Sequence, residues 1–228
     1  MAMKLDAVVP FGRSLDEYTH MFDLTSAELS QPILGVGDGP ASFNAEATQK
    51  GAKITSIDPI YTFSGDEILQ RFNAVVDDII HQVKATSENY VWTYHQSPEH
   101  LRQNREQAIQ KFLTDYELGQ QDDRYQAQEL PKLNFADGTF ALALCSHFLF
   151  LYSAHYDLAF HQDSIREMLR VSHEVRIFPL LTLMLERSPY LDDITSIFQT
   201  EGYCVEIVRV PYELQKGGNE MLSVRNPQ

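Results

Sequence analysis

The chain has 228 residues, 43% of them hydrophobic and 22% charged, which is enough for one full hydrophobic core. Its 18 basic and 32 acidic residues give a formal charge of -14, and the resulting field disfavours nucleic acid and anionic lipid as main partners. The same field does not oppose a cationic ligand. We therefore expect one globular domain over residues 1–228, with no nucleic-acid partner and no membrane partner.

The cysteines and the N-terminal segment predict a cytoplasmic protein. Cys145 and Cys204 each lie in an apolar run, which fits reduced thiols better than a disulfide framework. Residues 1–12 lack the apolar stretch and cleavage site of a signal peptide, and the apolar runs 140–152 and 177–185 are too short to span a bilayer. No Cys/His spacing typical of zinc occurs, so no metal site is predicted.

The first part of the chain predicts two buried strands with a helix between them. Residues 14–17, Ser-Leu-Asp-Glu, form a capping box before a short helix. Residues 33–36 predict the first strand and residues 53–58 the second. Pro40 suits the first turn of the intervening helix, because its missing N–H is not needed there, and that helix should end near residue 50.

The turn after the first strand is the most informative feature of the sequence. Gly37, Asp38 and Gly39 follow that strand, and Asp58 ends the second one. A buried strand, a glycine loop and a helix N-terminus together form a seat for a nucleotide-like ligand, and an acid on the next strand suits ribose hydroxyls. In the alternative interpretation the glycines only supply positive φ, Asp38 caps the helix and Asp58 is a turn residue.

The loop favours a cationic cofactor over a dinucleotide. In the fingerprint G-x-G-x-x-G the sixth position from Gly35 is Pro40, and from Gly37 it is Ser42, so neither start matches. A carboxylate at Asp38 would repel a pyrophosphate, since like charges 4 Å apart cost roughly 4 kcal/mol at an effective dielectric of about 20. S-adenosylmethionine carries a sulfonium and an ammonium instead of phosphate, and the same carboxylate would attract it.

Residues 62–122 are predicted to form a helical insertion that acts as a lid. The capping box at residues 64–67 begins one helix, and Ser97 and Pro98 begin another. The first helix has a continuous apolar stripe at residues 68, 69, 72, 75, 76, 79, 80 and 83. Between the helices lies an aromatic cluster that could cover a substrate or simply pack a loop: Tyr90, Trp92, Tyr94 and His95.

Regular alternation of strands and helices resumes after the insertion. The predicted strands cover residues 124–130, 140–148, 174–178, 203–210 and 220–225, with helices over 157–171 and from Ser188 to about Gly202. No helix separates the last two strands, so they should pair antiparallel. The pattern predicts a doubly wound α/β sheet with an antiparallel strand near its end.

These segments together resemble the class I, or Rossmann-like, S-adenosylmethionine-dependent methyltransferases. Residues 33–39 (Ile-Leu-Gly-Val-Gly-Asp-Gly) look like the glycine loop of that superfamily, and residues 56–58 (Ser-Ile-Asp) like its ribose-binding acid. Residues 130–140 look like its segment between strands three and four. The resemblance implies S-adenosyl-L-methionine as cofactor and a seven-stranded sheet of order 3-2-1-4-5-7-6 with strand 7 antiparallel.

The resemblance also assigns candidate cofactor-binding residues. They lie at the ends of the first four strands: Gly35, Gly37, Asp38, Gly39, Asp58, Pro59, Gln128, Glu129, Cys145 and Ser146. Arg13 is a candidate partner of the methionine carboxylate, with a surface arginine as the alternative. The chain departs from the family pattern in having Gly35 where the loop usually begins with an acid, and Ala41 in place of the third glycine.

Residues at and after the end of the fourth strand are candidates for catalysis. His147 lies where open α/β sheets place ligands, although a hydrogen-bonded core histidine is the competing interpretation. Tyr152 and His155 are weaker candidates. A general base is needed only if the attacking atom keeps its proton at neutral pH, as a hydroxyl does. The sequence lacks Asn-Pro-Pro-Tyr after strand four, which argues against amino-methylation of nucleic-acid bases by that route.

The leading hypothesis is a methyltransferase for a small-molecule acceptor, with the insertion determining specificity. One alternative is a non-catalytic protein that senses S-adenosylmethionine or serves as a scaffold, suggested by the missing loop acid. Another is an NAD-linked oxidoreductase, which the Asp38 charge disfavours. The sequence leaves open the acceptor atom and whether the protein forms a homodimer.

Overall fold

The computed structural model describes residues 8–227, and a seven-stranded sheet lies at its centre. The strands are β1 (Pro32–Val36), β2 (Lys53–Ile57), β3 (Tyr125–Gln126), β4 (Phe140–Ser146), β5 (Ser172–Phe178), β6 (Cys204–Arg209) and β7 (Glu220–Arg225). The α-helices are α1 (Leu15–Phe22), α2 (Ser26–Leu29), α3 (Phe43–Gln49), α4 (Gly65–Ala85), α5 (Pro98–Gln121), α6 (Leu158–Val171) and α7 (Leu191–Thr200). Residues 1–7, on which part of the signal-peptide prediction depends, lie outside the described range.

The strand order confirms the predicted topology. The sheet runs β3-β2-β1-β4-β5-β7-β6, and β7 pairs antiparallel with both β5 and β6. Val36 lies opposite Ile57 on one side and Cys145 on the other, so the carboxyl ends of β1, β2 and β4 meet at one edge. An open α/β sheet binds its ligands at this edge.

Alternate residues of the central strands face two separate hydrophobic cores. Leu34 and Val36 belong to the cluster that contains residues of α6 and α7, whereas Ile33 belongs to the cluster that contains residues of α1 and α3. Side chains alternate between the faces of a strand, and both faces here are covered. This explains why β1 reads as an unbroken apolar run.

Capping residues set several helix starts as the sequence predicts. The capping boxes formed by Ser14 with Glu17 and by Ser64 with Glu67 are both present. Ser97 caps α5, with Pro98 in its first turn. A further capping box, which was not predicted, precedes α2 at Thr25.

The prediction that the helix after the glycine loop begins at Pro40 is wrong, because α3 begins at Phe43. The backbone N–H of Gly39 donates to Asp58 Oδ2 at 2.9 Å, and the Gly39 carbonyl accepts from the Tyr61 hydroxyl at 2.7 Å. These bonds hold Gly39 at a φ of 53°, so the chain must leave the left-handed region before a helix can start. Asp38 therefore does not cap this helix.

The predicted strand over residues 124–130 is also wrong in length, because β3 contains only Tyr125 and Gln126. The chain turns directly afterwards, where the backbone N–H of Gln128 donates to the Gln126 carbonyl at 2.9 Å. The Gln128 side chain holds the turn by donating to Gln126 Oε1 and accepting from the Asn134 backbone. The other element boundaries differ from prediction by a few residues at most, as in β4, which ends at Ser146.

Helices α4 and α5 occupy the chain between β2 and β3 and pack against each other. Their shared core contains Phe72 and Ile80 from α4 and Phe112 from α5. The guanidinium of Arg105 binds Glu17 of α1 through two bonds of 2.7 and 2.6 Å, and the Tyr212 hydroxyl donates to the same carboxylate at 3.0 Å. Buried charges thus attach α5 to the rest of the chain. Across residues 8–227, no helix combines the length and apolar character needed to cross a membrane.

Candidate functional site

A cavity of about 980 Å³, the large cavity, opens at the carboxyl edge of β1, β2 and β4. Helix α4 forms one wall, and the aromatic rings of Tyr156 and Phe160 form part of another. Four loops and the N-terminal segment contribute further lining, through residues 8–11, 13, 36–39, 57–60, 128–130 and 146–148. Its position and size are those of a ligand site in an open α/β sheet.

Two glycines and one carboxylate shape the floor of the large cavity. Gly37 and Gly39 have φ of 67° and 53°, a region that favours glycine. Asp58 accepts from the backbone N–H of Gly39 and of Ile60, each at 2.9 Å, so the acid and the loop hold each other in place. Burial raises the pKa of Asp58, while these two hydrogen bonds act in the opposite direction.

The Asp38 carboxylate folds back over Gly35. A Cβ built at Gly35 would lie 1.9 Å from Asp38 Oδ2, so only glycine fits beside this side chain. The hydroxyls of Tyr18 and Ser56 donate to the two Asp38 oxygens, each at 2.6 Å. The sequence has no acid at position 35, where the family's loop usually begins with one. The carboxylate of Asp38 instead lies beside that position in the folded chain.

Asp38 carries less charge than the sequence analysis assumed. Burial raises its pKa to about 7, against the lowering effect of the Ser56 and Tyr18 hydroxyls. The group therefore holds its proton up to a higher pH than a free carboxyl does, and both oxygens already accept internal hydrogen bonds. The expected repulsion of a pyrophosphate by this residue alone is correspondingly weaker.

Most of the predicted site residues come together in the large cavity. Those that line it are Arg13, Gly37, Asp38, Gly39, Asp58, Pro59, Gln128, Glu129, Ser146 and His147. Three others lie elsewhere. Gly35 lies beneath Asp38, and Cys145 is fully buried within the sheet, where burial raises its thiol pKa to about 12. Tyr152 lines a second cavity of about 90 Å³, the small cavity, which adjoins the large one.

His147 lies at the boundary of the two cavities and lines both. Its φ of 52° places a non-glycine residue in the left-handed region, directly after β4. Nδ1 lies 3.0 Å from Ser146 Oγ. Burial, followed by the charges of Arg13 and Arg105, keeps the pKa of His147 well below its usual value, so the imidazole is neutral at physiological pH.

Arg13 also lines both cavities, and it has no carboxylate partner in the part of the chain that the structure describes. Nη1 donates to the Phe11 carbonyl at 2.8 Å, and Nε is shielded from solvent without a hydrogen-bond partner. Among the described residues, no ion pair within 4.0 Å involves this guanidinium, in contrast to Arg105 with Glu17. Burial and the nearby charge of Arg105 lower the pKa of Arg13 to about 10.

The aromatic cluster of the insertion does not form a common wall of the large cavity. Tyr90 lines the small cavity, and the Trp92 indole N–H donates to Ser87. His95 is buried next to Glu17 at 3.3 Å, and the Tyr94 hydroxyl donates to Asp16 at 2.5 Å. These side chains chiefly attach the insertion to neighbouring parts of the chain.

Several residues of the large cavity were missed in the sequence analysis. On α4 they lie at helical spacing beside Val75 and Ile79 of the apolar stripe: Arg71, Ala74 and Asp78. Only the apolar stripe of this helix was predicted, although the spacing of the polar residues was a usable signal. Phe148, Tyr156 and Phe160 are brought together by ring contacts, with 4.3 Å between the Tyr156 and Phe160 centroids.

Solved structures with a comparable arrangement are methyltransferases. The methyltransferase domain of the bacterial Hen1 protein CtHen1 has a TM-score of 0.50 at 12% identity, covering 93% of this chain and 98% of that one. Magnesium protoporphyrin IX methyltransferase of Synechocystis PCC 6803, solved with bound S-adenosylmethionine, has a TM-score of 0.49 at 13% identity, covering 93% and 78%. At such identities the likeness concerns the fold alone.

One curated relative matches along nearly the whole sequence. It is the uncharacterized protein MJ0045 of Methanocaldococcus jannaschii. The two sequences are 36% identical over 224 residues, and the match covers 98% of each. No family model matches the sequence. The chain therefore has the fold of the class I S-adenosylmethionine-dependent methyltransferases and belongs to the same protein family as MJ0045 of M. jannaschii.

Proposed function

We propose that the protein is an S-adenosylmethionine-dependent methyltransferase that acts on a small-molecule acceptor. The observation that carries the proposal is the large cavity, in which the left-handed glycine loop and Asp58 hold each other at the carboxyl edge of the sheet. Four carboxyl groups line it, from Asp38, Asp58, Asp78 and Glu129, and the sulfonium and ammonium of the cofactor complement such a lining.

Asp58 and its neighbours would hold the nucleoside. Each carboxylate oxygen of Asp58 accepts one backbone hydrogen bond and keeps a further lone pair for a ribose hydroxyl. Pro59, Ile60 and Leu130 supply apolar surface in the same part of the cavity, suited to an adenine ring. The residues present therefore fit this cofactor, and a pyrophosphate would meet the carboxylates instead.

The bound cofactor supplies a methyl group that is already activated for displacement. The protein must then hold the acceptor close and collinear and exclude water, which suits a cavity covered by α4. Neutral His147 would take the acceptor proton. When Nδ1 donates to Ser146 Oγ, Nε2 has a free lone pair at the junction of the cavities.

The non-catalytic alternative was suggested by the missing loop acid. That argument is weaker now, because the Asp38 carboxylate lies next to Gly35, where the family has its loop acid. The lid function of residues 62–122 remains a proposal. It is supported by the face of α4 that lines the large cavity.

Calorimetry and a turnover assay test the function. We expect S-adenosylhomocysteine and S-adenosylmethionine to bind with one site per chain, and NADH to show no saturable binding. A panel of small hydroxyl, amine and carboxylate acceptors should then yield S-adenosylhomocysteine with at least one compound. If neither S-adenosylmethionine nor S-adenosylhomocysteine binds, the proposal is refuted. If they bind but no acceptor is methylated, the result favours the non-catalytic sensor.

A further inference from the structure

The small cavity differs in character from the large one. Its walls are mainly apolar, formed by residues that include Ile79, Val83, Leu101, Leu151, Phe178 and Leu183. Five residues line both cavities and mark their boundary: Val9, Phe11, Arg13, Ile79 and His147. A volume of about 90 Å³ is several times the space that one water molecule needs, roughly 10–15 Å³.

The charges around the two cavities are segregated. No aspartate or glutamate is among the described residues that line the small cavity, whereas Arg13 and Arg105 both line it. Glu17 neutralises Arg105 through two hydrogen bonds. Arg13 has no such ion pair among the described residues, although the charge of Glu17 acts on it at longer range, and its guanidinium lies next to an apolar space in a chain whose overall charge is -14.

Arg13 still has hydrogen-bonding capacity. Nη1 binds the Phe11 carbonyl, and Nε is shielded from solvent, while Nη2 donates to no other described residue. A partly buried arginine without a counter-charge is unfavourable, and an incoming anion would remove that cost. Planar guanidinium groups are well matched to carboxylates.

We propose that the small cavity binds the acidic end of the methyl acceptor, so that the substrate is a small organic acid with an apolar body. The inference rests on the proposed function and adds the substrate class to it. The carboxylate would pair with Arg13, and the apolar walls would surround the adjoining carbons. The rest of the acceptor would extend past His147 into the large cavity, where the methyl group is transferred.

The sequence alone suggested the methionine carboxylate as the partner of Arg13. We assign Arg13 to the acceptor because, of the two cavities that it lines, only the small one has no aspartate or glutamate among its described lining, so a carboxylate there would meet no like charge. None of the residues of the glycine loop lines that cavity, and neither does Asp58. An experiment must separate these two sources of a carboxylate.

The test uses ¹⁵N-labelled full-length protein saturated with S-adenosylhomocysteine, into which sodium butyrate or the neutral isostere butyramide is titrated. The shielded Nε–H of Arg13 gives an observable signal, assigned by its loss in Arg13→Gln. We expect butyrate to shift this signal saturably and butyramide to leave it unchanged. Arg13→Gln should weaken butyrate binding about tenfold or more, as expected when a charged hydrogen bond is lost.

Arg102→Gln is the matched control, since it removes an arginine that lies on α5 and lines neither cavity. This variant should bind butyrate as the wild type does. If Arg13→Gln does not fold, Arg13→Lys, which also lacks the guanidinium Nε–H but keeps the charge, assigns the signal, and the comparison of butyrate with butyramide on the wild type decides the question.

Two results would overturn the proposal. One is a shift of the Arg13 signal by S-adenosylhomocysteine with no further effect of butyrate, which assigns the arginine to the cofactor carboxylate. The other is an equal response, or none, to butyrate and butyramide. Failure of the proposed function is separate, because it appears earlier as failure of the sulfur nucleosides to bind in calorimetry.

Discussion

At the scale of single residues, Asp58 has two tasks, and both depend on its carboxylate. It positions the glycine loop through the N–H of Gly39, and it would bind the ribose. We expect Asp58→Ala to weaken S-adenosylhomocysteine binding by about 1–3 kcal/mol, the cost of leaving hydroxyls unpaired. Calorimetry measures this change. The control is Asp66→Ala, which removes an exposed acid at the start of α4 and should bind normally. Equal affinities of the wild type and both variants would contradict the role of Asp58.

Asp38 should make stability depend on pH. Its carboxyl has a pKa of about 7 in the folded protein and of about 3.9 in the unfolded chain. Between these values the folded state holds the extra proton, so the free energy of unfolding falls as pH rises and levels off above about 7. The total change is on the order of 4 kcal/mol at most.

The Asp38→Asn variant should lose this dependence, because an amide does not titrate. We therefore expect its stability, relative to the wild type, to increase between pH 5 and pH 8 in urea unfolding. The difference between the two proteins isolates Asp38 from His147, whose lowered pKa acts in the opposite direction at acid pH. Parallel curves would contradict the assignment.

His147→Asn tests the proposed base. Asparagine tolerates the left-handed backbone at position 147, and it cannot accept a proton. With an acceptor whose nucleophile is protonated at neutral pH, kcat should fall by about 10²–10⁴ while S-adenosylhomocysteine binds unchanged. An undiminished kcat would show that the acceptor loses its proton without this residue.

At the scale of the elements, the attachment of α5 to α1 depends on Glu17. Burial alone would raise the pKa of Glu17. The charge of Arg105, together with hydrogen bonds to His95 and Arg105, instead keeps that pKa well below its usual value. Glu17→Gln leaves Arg105 buried without a full counter-charge, and we expect a loss of about 3–5 kcal/mol in the free energy of unfolding. Asp77→Asn, which breaks an exposed contact to Arg102, should change stability far less in the same urea titration.

The second element-scale prediction concerns α4. A ligand in the large cavity would contact both the glycine loop and the cavity face of this helix. S-adenosylhomocysteine should therefore slow amide hydrogen exchange in residues 37–39 and in α4, because bound ligand suppresses local opening. The edge strand β6 should exchange as before. Protection in the loop without any in α4 would argue against a covering role for the helix.

At the scale of the whole molecule, the linings of the two cavities carry different charges, which the net value of -14 does not show. Acidic side chains line the large cavity, and the small cavity has arginines without acids among its described lining. One molecule thus offers a site for a cation beside a site for an anion. The acid in the glycine loop predicted the first, with which the net charge is compatible, and the second became visible only in the packed structure.

Local signals in the sequence indicated most of the elements and much of the large cavity. The capping boxes, the apolar patterns and the missing helix before β7 predicted the helices, the strands and the antiparallel pairing of the last two strands, whereas the order of the strands in the sheet came from the resemblance to the methyltransferases. The glycine loop, Asp58 and His147 were readable because parallel strands bring their carboxyl ends to one edge. Each of these features depends on residues close together in the chain, or on a general rule of sheet geometry.

Only the tertiary structure decided how distant side chains meet. The carboxylate of Asp38 next to Gly35, the pairing of Glu17 with Arg105 and Tyr212, and the lack of a carboxylate partner for Arg13 among residues 8–227 all depend on packing. Glu17 and Tyr212 are 195 residues apart, and no periodicity records such a contact. Burial then changes the chemistry, since a carboxyl group that is charged in water holds its proton near neutral pH once it is enclosed.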